Sequence, residues 1–139
     1  MTSFEQIYNR FLSTITDYSL PFVPEEDLEN MLHEWMLGAI VRCGRYSRNF
    51  DDRDEENKTF NSTLAEKDIR ALILYMVGEW LDRQVNSVEL TAQMLGGKEE
   101  KFFSQASHLN SIKALRDDSR TEARKLLRDY SYVDNSYFE

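Results

Sequence analysis

Two histidines, one cysteine and a dense acidic run are the side chains of this sequence with the clearest capacity for chemistry. His33 stands between Glu29 and Glu34, and His108 lies beside Leu109. A His/Glu metal pair on a helix needs further ligands, and none stands at helical spacing from His33. His33 therefore reads as a solvated histidine on a helix face, and His108 as a packing or capping residue rather than an acid–base catalyst. Cys43, the single cysteine, has Arg42 and Arg45 nearby. Positive charge there could lower a thiol pKa, but no base is in justifiable register. A small buried side chain at a helix end is the preferred reading. The run Asp51-Asp52-Arg53-Asp54-Glu55-Glu56 lacks the glycine and terminal glutamate of a calcium-binding EF-hand loop. It reads as solvated acid, with a basic partner as the alternative. No phosphate-binding glycine loop, zinc-protease signature or nucleophile elbow is present. These residues predict no catalytic, cofactor-binding or metal site, no cofactor, and no enzyme activity.

The elements that carry them are helical in pattern. Gly (5) and Pro (2) are scarce among 139 residues, which favours long helices over short strands and turns. Phe4, Ile7, Tyr8, Phe11, Ile15 and Tyr18 predict a first helix over 3–18, capped by Thr2 or Ser3. Pro24 followed by Glu25, Glu26 and Asp27 predicts a second helix, closed at Gly44. Its apolar face is Leu28, Met31, Leu32, Trp35, Ala39 and Cys43, widened by Met36, Leu37 and Ile40. Residues 45–62 show no apolar period and predict an exposed loop. Thr63 with Glu66 forms a predicted capping box for a central helix bearing Ile69, Leu72, Ile73, Met76, Val77, Trp80, Leu81 and Val85. Asn86–Ser87 predicts a break, followed by a short helix over 88–95 and a stop at Gly96–Gly97. A last helix is predicted from Ser104 to about Tyr130. Its middle, Asp117–Arg120, holds few apolar anchors and is expected to project from the bundle. The predicted architecture is all-α: four main helices over residues 1–130, a long acidic loop, and an extended C-terminal tail over 131–139 ordered by a partner.

Composition narrows the partners. The formal charge is −8 and the isoelectric point about 4.8, which disfavours a free-standing nucleic-acid binder and an anionic membrane surface. A single cysteine excludes an intrachain disulfide framework. The N-terminal 18 residues match neither a signal peptide nor a membrane span, so folding in a reducing cytoplasm is expected. Phe102, Phe103, Tyr130, Tyr132, Tyr137 and Phe138 fall outside the clean helical stripes. Aromatics of this kind anchor protein–protein contacts.

Four segments together carry a family resemblance. They are Ile7-Tyr8-Asn9-Arg10-Phe11-Leu12 with Thr16-Asp17-Tyr18, and Met76-Val77-Gly78-Glu79-Trp80-Leu81. Then come Lys101-Phe102-Phe103-Ser104-Gln105-Ala106-Ser107-His108-Leu109, and Leu127-Arg128-Asp129-Tyr130-Ser131-Tyr132. In order and spacing the chain resembles the small head–tail connector, or neck adaptor, proteins of tailed bacteriophages of Gram-positive hosts. Residues 45–62 and those after Tyr132 match the pattern least. The resemblance implies a helical protomer, assembled in the host cytoplasm and located in the virion neck. It implies a ring, typically of twelve copies, beneath the portal protein, extending the DNA channel and docking the next neck or tail-completion protein. DNA would only pass through, and no membrane is involved. On this reading Tyr130, Tyr132, Tyr137 and Phe138 are expected at the portal contact. Phe50 and Phe60 in loop 45–62, with Phe102 and Phe103, are expected at ring contacts. A small helical regulator binding a single protein partner is the alternative. A helix-turn-helix DNA binder ranks below both, because the basic stretch Arg120–Arg128 is interspersed with acids.

Overall fold

The computed structural model describes residues 1–15, 20–94 and 99–138, with side chains except those of 88–94, 99–106 and 129–138. Strand β1 (Thr2–Ser3) leads into α1 (Phe4–Thr14). Ser3 caps α1: its Oγ accepts from the Gln6 N–H at 3.2 Å, and Gln6 Oε1 accepts from the Ser3 N–H at 3.1 Å. This reciprocal pair satisfies two of the donors a helix start leaves open. Phe4, Ile7, Tyr8 and Phe11 form the buried stripe. The helix ends at Thr14, earlier than its apolar period predicts. Ser13 and Thr14 both turn their hydroxyls back onto the Arg10 carbonyl, each at 2.8 Å, and Ile15 is extended.

A 3₁₀ turn (Leu20–Phe22) precedes α2 (Glu25–Cys43). Pro24 is the residue before its first turn, and Glu25, Glu26 and Asp27 lie at the positive end of its dipole. Gly44 ends it with φ +58°, its N–H donating to the Val41 carbonyl, a backbone shape that glycine adopts without strain. Met36 and Ile40 are buried with Trp35, Ala39 and Cys43, so α2 is covered on more than one side, as its wide apolar face predicts.

Residues 45–62 are not the featureless loop their sequence suggests. A 3₁₀ turn (Gly44–Tyr46), the single turn α3 (Arg48–Asp51), β2 (Arg53–Asp54) and β3 (Thr59–Phe60) follow in order. The strands form an antiparallel sheet in the order β1–β3–β2, with Thr2 opposite Phe60 and Phe60 opposite Arg53. Phe50 and Phe60 are fully buried, and the Phe4 and Phe60 rings pack with centroids 5.0 Å apart. Two large apolar side chains on a short turn and a two-residue strand leave no helical period to see. The acids build the turn between strands: Asp54 Oδ1 accepts the Glu56 and Asn57 N–H groups, each at 3.0 Å. This is an aspartate-closed turn, and it places the acidic run on the solvent side.

The central helix α4 (Glu66–Met94) and the last helix α5 (Glu99–Phe138) are both longer than predicted. α4 runs through Asn86–Ser87 without a break, so the expected separate helix after Ser87 is its continuation. α5 continues to Phe138, so residues 131–138 are helical rather than an extended tail. Thr63 does not form the predicted capping box; its Oγ1 accepts from the N-terminal amine at 3.0 Å. The Leu64 N–H donates to Thr2 Oγ1 at 3.0 Å. At 1.5 Å per residue the two helices extend about 43 Å and about 60 Å. They pair antiparallel, since Leu74 meets Ser119 and Asp82 meets Arg116.

The main core gathers α1, α2, the sheet, Ala71–Met76 of α4, and Ala123 with Leu127 of α5. A second, smaller core of Leu81, Val85 and Ile112 belongs to α4 and α5 alone. The fold is all-α in its mass, as expected, with the small sheet as an addition. Among the described residues no helix is long and apolar enough to cross a membrane.

Candidate functional site

The α4–α5 pair is held by a polar seam that its sequence presents as a weak stretch. Ser119 is buried and donates to the Leu74 carbonyl at 2.7 Å. Arg116 Nη1 lies 2.9 Å from Asp82, and Arg120 is paired with the same carboxylate and 3.7 Å from Glu79. Arg42 of α2 joins from the other side, paired with Glu79 and 3.7 Å from Asp82. Three arginines from two helices thus converge on two carboxylates of α4. Gly78 and Gly38 make the space. A Cβ at Gly78 would come 3.0 Å from Arg120 Nε, and one at Gly38 would come 2.9 Å from Glu79 Oε2. Burial pushes the Asp82 carboxyl up, but the hydrogen bonds and charges of Arg120 and Arg116 outweigh it and hold it below the ordinary carboxylate range. The middle of α5 therefore does not project from the bundle. Charged residues dock it, and hydropathy alone cannot register that.

The second convergence lies between α1, α2 and the β2–β3 hairpin. The Tyr8 hydroxyl is 3.3 Å from His33 Nδ1, and His33 Nε2 is 3.1 Å from Glu55. The His33 ring stacks on Phe4 at 5.8 Å. His33 is thus not the solvated histidine its position suggests: both ring nitrogens are engaged, and it ties α1 to the hairpin. Burial, and then the Glu29 and Glu55 carboxylates, raise the Tyr8 phenol above its ordinary value. Tyr8 stays protonated and acts as a hydrogen-bonding group, not as a phenolate nucleophile. Lys58 reaches across to Glu29.

These residues border two overlapping clefts of about 490 and about 380 Å³, which share Phe4, Tyr8, Glu29 and Lys58. The floor is apolar and aromatic, with Leu12, Leu28 and Leu32 beside Phe4 and Tyr8. The rim is acidic: Glu5 and Glu25 in the larger lobe, Glu26 and Glu55 in the smaller. Such a surface suits an amphipathic, positively charged segment. The sequence could not reveal it, because Tyr8, His33 and Glu55 stand on three separate elements. The one available signal was a tyrosine on a buried stripe, whose hydroxyl requires a partner.

The residues singled out by sequence fare unevenly. Cys43 is buried at the last position of α2, where its preferred reading puts it. Burial, with the charges of Asp68 and Asp51, pushes its thiol up to about 12, so the neighbouring arginines do not activate it. His108 is exposed on α5. Among the described residues no group of His, Cys, Asp and Glu is placed to hold a metal ion. Phe50 and Phe60, expected at a ring contact, are fully buried inside the protomer. Any contact through this segment falls to the exposed residues around them. Phe102, Phe103, Tyr130, Tyr132, Tyr137 and Phe138 all lie along α5, and their side chains are outside the described set. No protein-family model, curated protein or solved structure matches the chain.

Proposed function

We propose that this chain is a structural adaptor of a tailed-phage neck, a protomer that assembles as a ring beneath the portal protein and docks the next neck or tail-completion protein. The observation that carries this reading is the α4–α5 arm. Beyond the main core, Leu81, Val85 and Ile112 form a two-helix layer whose core neighbours, among the described residues, are Val77, Trp80 and Leu109 of the same two helices. Two packed helices bury only one face each. An arm of this kind is suited to lie against a neighbouring copy, where heterologous contacts close by rotation into a ring. The net charge of −8 supports a lumen through which DNA slides without adhering.

On this reading Tyr130, Tyr132, Tyr137 and Phe138 meet the portal from the last turns of a helix rather than from an extended tail. Phe102 and Phe103, at the start of α5, stay proposed for ring contacts. The test combines the full chain, and a version lacking residues 131–139, with the portal protein of the same phage genome. The full chain is expected to decorate portal rings in negative stain. The shortened chain is expected to keep its helical circular dichroism and lose the decoration. Equal portal binding by both would refute the portal contact. A one-to-one complex with a different protein, and no portal binding, would favour the single-partner regulator.

A further inference from the structure

The charges of this chain are unevenly divided. Residues 1–66 hold 13 acidic and 6 basic side chains, a net −7, while residues 67–139 hold 12 and 11, a net −1. Five of the 13 acids of the first part, Glu5, Glu25, Glu26, Glu29 and Glu55, line the two lobes of the cleft. Lys58, the cation on that lining, is already tied to Glu29. In the second part, Arg116 and Arg120 are taken up by Asp82 and Glu79 in the seam, and the basic surface lies further along α5, past the exposed Asp117 and Asp118. Arg124, Lys125 and Arg128 of α5 are exposed there. Arg70 of α4 is exposed at the same end, 3.9 Å from Glu122.

We infer that the acidic cleft beside Tyr8 receives the basic α4–α5 face of a second copy of this chain, head to tail. The inference rests on the ring reading above and names its contact. Three features favour a second copy as the occupant. The complementary charge is present on the same chain, on a surface that shares no residue with the cleft. The cleft floor of Phe4, Tyr8 and Leu28 accepts the aliphatic stems of Lys and Arg, while the rim carboxylates meet their charged ends. The two surfaces differ, so the contact is heterologous and propagates, as a ring requires.

Sedimentation velocity on the full chain at low ionic strength tests this with two charge reversals at exposed positions. Glu25→Lys/Glu26→Lys alters the cleft, and Arg70→Glu/Lys125→Glu alters the face. Circular dichroism melting confirms that each folds, and the milder Glu25→Gln/Glu26→Gln stands in where the first reversal does not. Wild type is expected to self-associate in a salt-dependent way, and each variant alone to associate about tenfold more weakly or worse. An equimolar mixture of the two variants keeps one intact cleft and one intact face, so it is expected to form dimers and stop there. Three results would overturn the contact: a wild type monomeric at millimolar concentration, variants that associate like wild type, or a monomeric chain whose cleft instead takes up a basic amphipathic peptide. Portal decoration is scored separately. A chain that forms head-to-tail species yet ignores portal refutes the neck reading and leaves the contact standing. Unchanged rings on portal after both reversals refute the contact alone.

Discussion

Gly78 of α4 lies directly beneath the guanidinium arm of Arg120 of α5: a Cβ at position 78 would stand 3.0 Å from Arg120 Nε and 3.2 Å from its Cγ. Arg120 has little room to give, because its side chain is 14% exposed and is held by Asp82 and Glu79. Glycine inside a helix ordinarily costs about 1 kcal/mol relative to alanine. Here the close approach reverses the sign. Gly78→Ala is expected to destabilise the protein by about 1–2 kcal/mol through forced displacement of the arginine. Urea unfolding followed by circular dichroism measures it. A stabilised variant would show that the arginine moves aside freely.

Asp82 accepts from both Arg116 and Arg120. Removing it leaves two partly buried guanidinium groups short of a partner, a loss of about 1–3 kcal/mol for Asp82→Asn at neutral pH. Its folded-state pKa is depressed below the ordinary 3.8. Its contribution is therefore complete above that value and is lost as pH falls through the lower, folded-state value. The stability gap between wild type and Asp82→Asn should be constant near neutrality and narrow below about pH 4. A gap that widens in acid would contradict the seam.

Cys43 is 3% exposed, and its thiol is pushed up to about 12 by burial first and by Asp68 and Asp51 after it. Thiolate is the reacting form. At pH 8 native Cys43 should react with a disulfide reagent at least about a hundredfold more slowly than in denaturant. The slow native rate then reports opening of the α2 end, and it should rise in variants that loosen the core. Fast labelling of the folded chain would place Cys43 at the surface.

Phe60 pairs with Thr2 on one side and Arg53 on the other, and its ring is fully buried against Phe4 and Phe50. Phe60→Ala should cost about 3–5 kcal/mol. It should also release the hairpin that carries Glu55 and Lys58 to the cleft. Native-state hydrogen exchange is expected to show lost protection at Thr59 and Phe60 while Leu72–Met76 of α4 stays protected. Uniform loss along the chain would mean that the hairpin is not a separate unit.

Local periodicity made most of the helical fold legible. The stripe from Phe4 to Phe11, the Pro24 start and Gly44 stop of α2, and the apolar run of α4 each depend on neighbours three and four residues apart. That interaction range is contained within the chain segment itself. The same rule explains the misplaced boundaries. Ser13 and Thr14 turn their hydroxyls onto the Arg10 carbonyl at the end of α1, which hydropathy does not encode, and α4 runs on through Asn86–Ser87 because a polar pair need not interrupt a helix whose flanking turns are packed.

Tertiary structure alone decided the rest. Phe60 joins a sheet only because Thr2, 58 residues away, supplies the neighbouring strand. Arg116 and Arg120 read as solvated charges until α4 presents Asp82 and Glu79 beneath them. Tyr8, His33 and Glu55 become one hydrogen-bonded chain only when α1, α2 and the hairpin dock. Each of these pairings joins charged or aromatic groups across large sequence separations. Their energy arises from burial and geometry that exist only after the apolar stripes have packed.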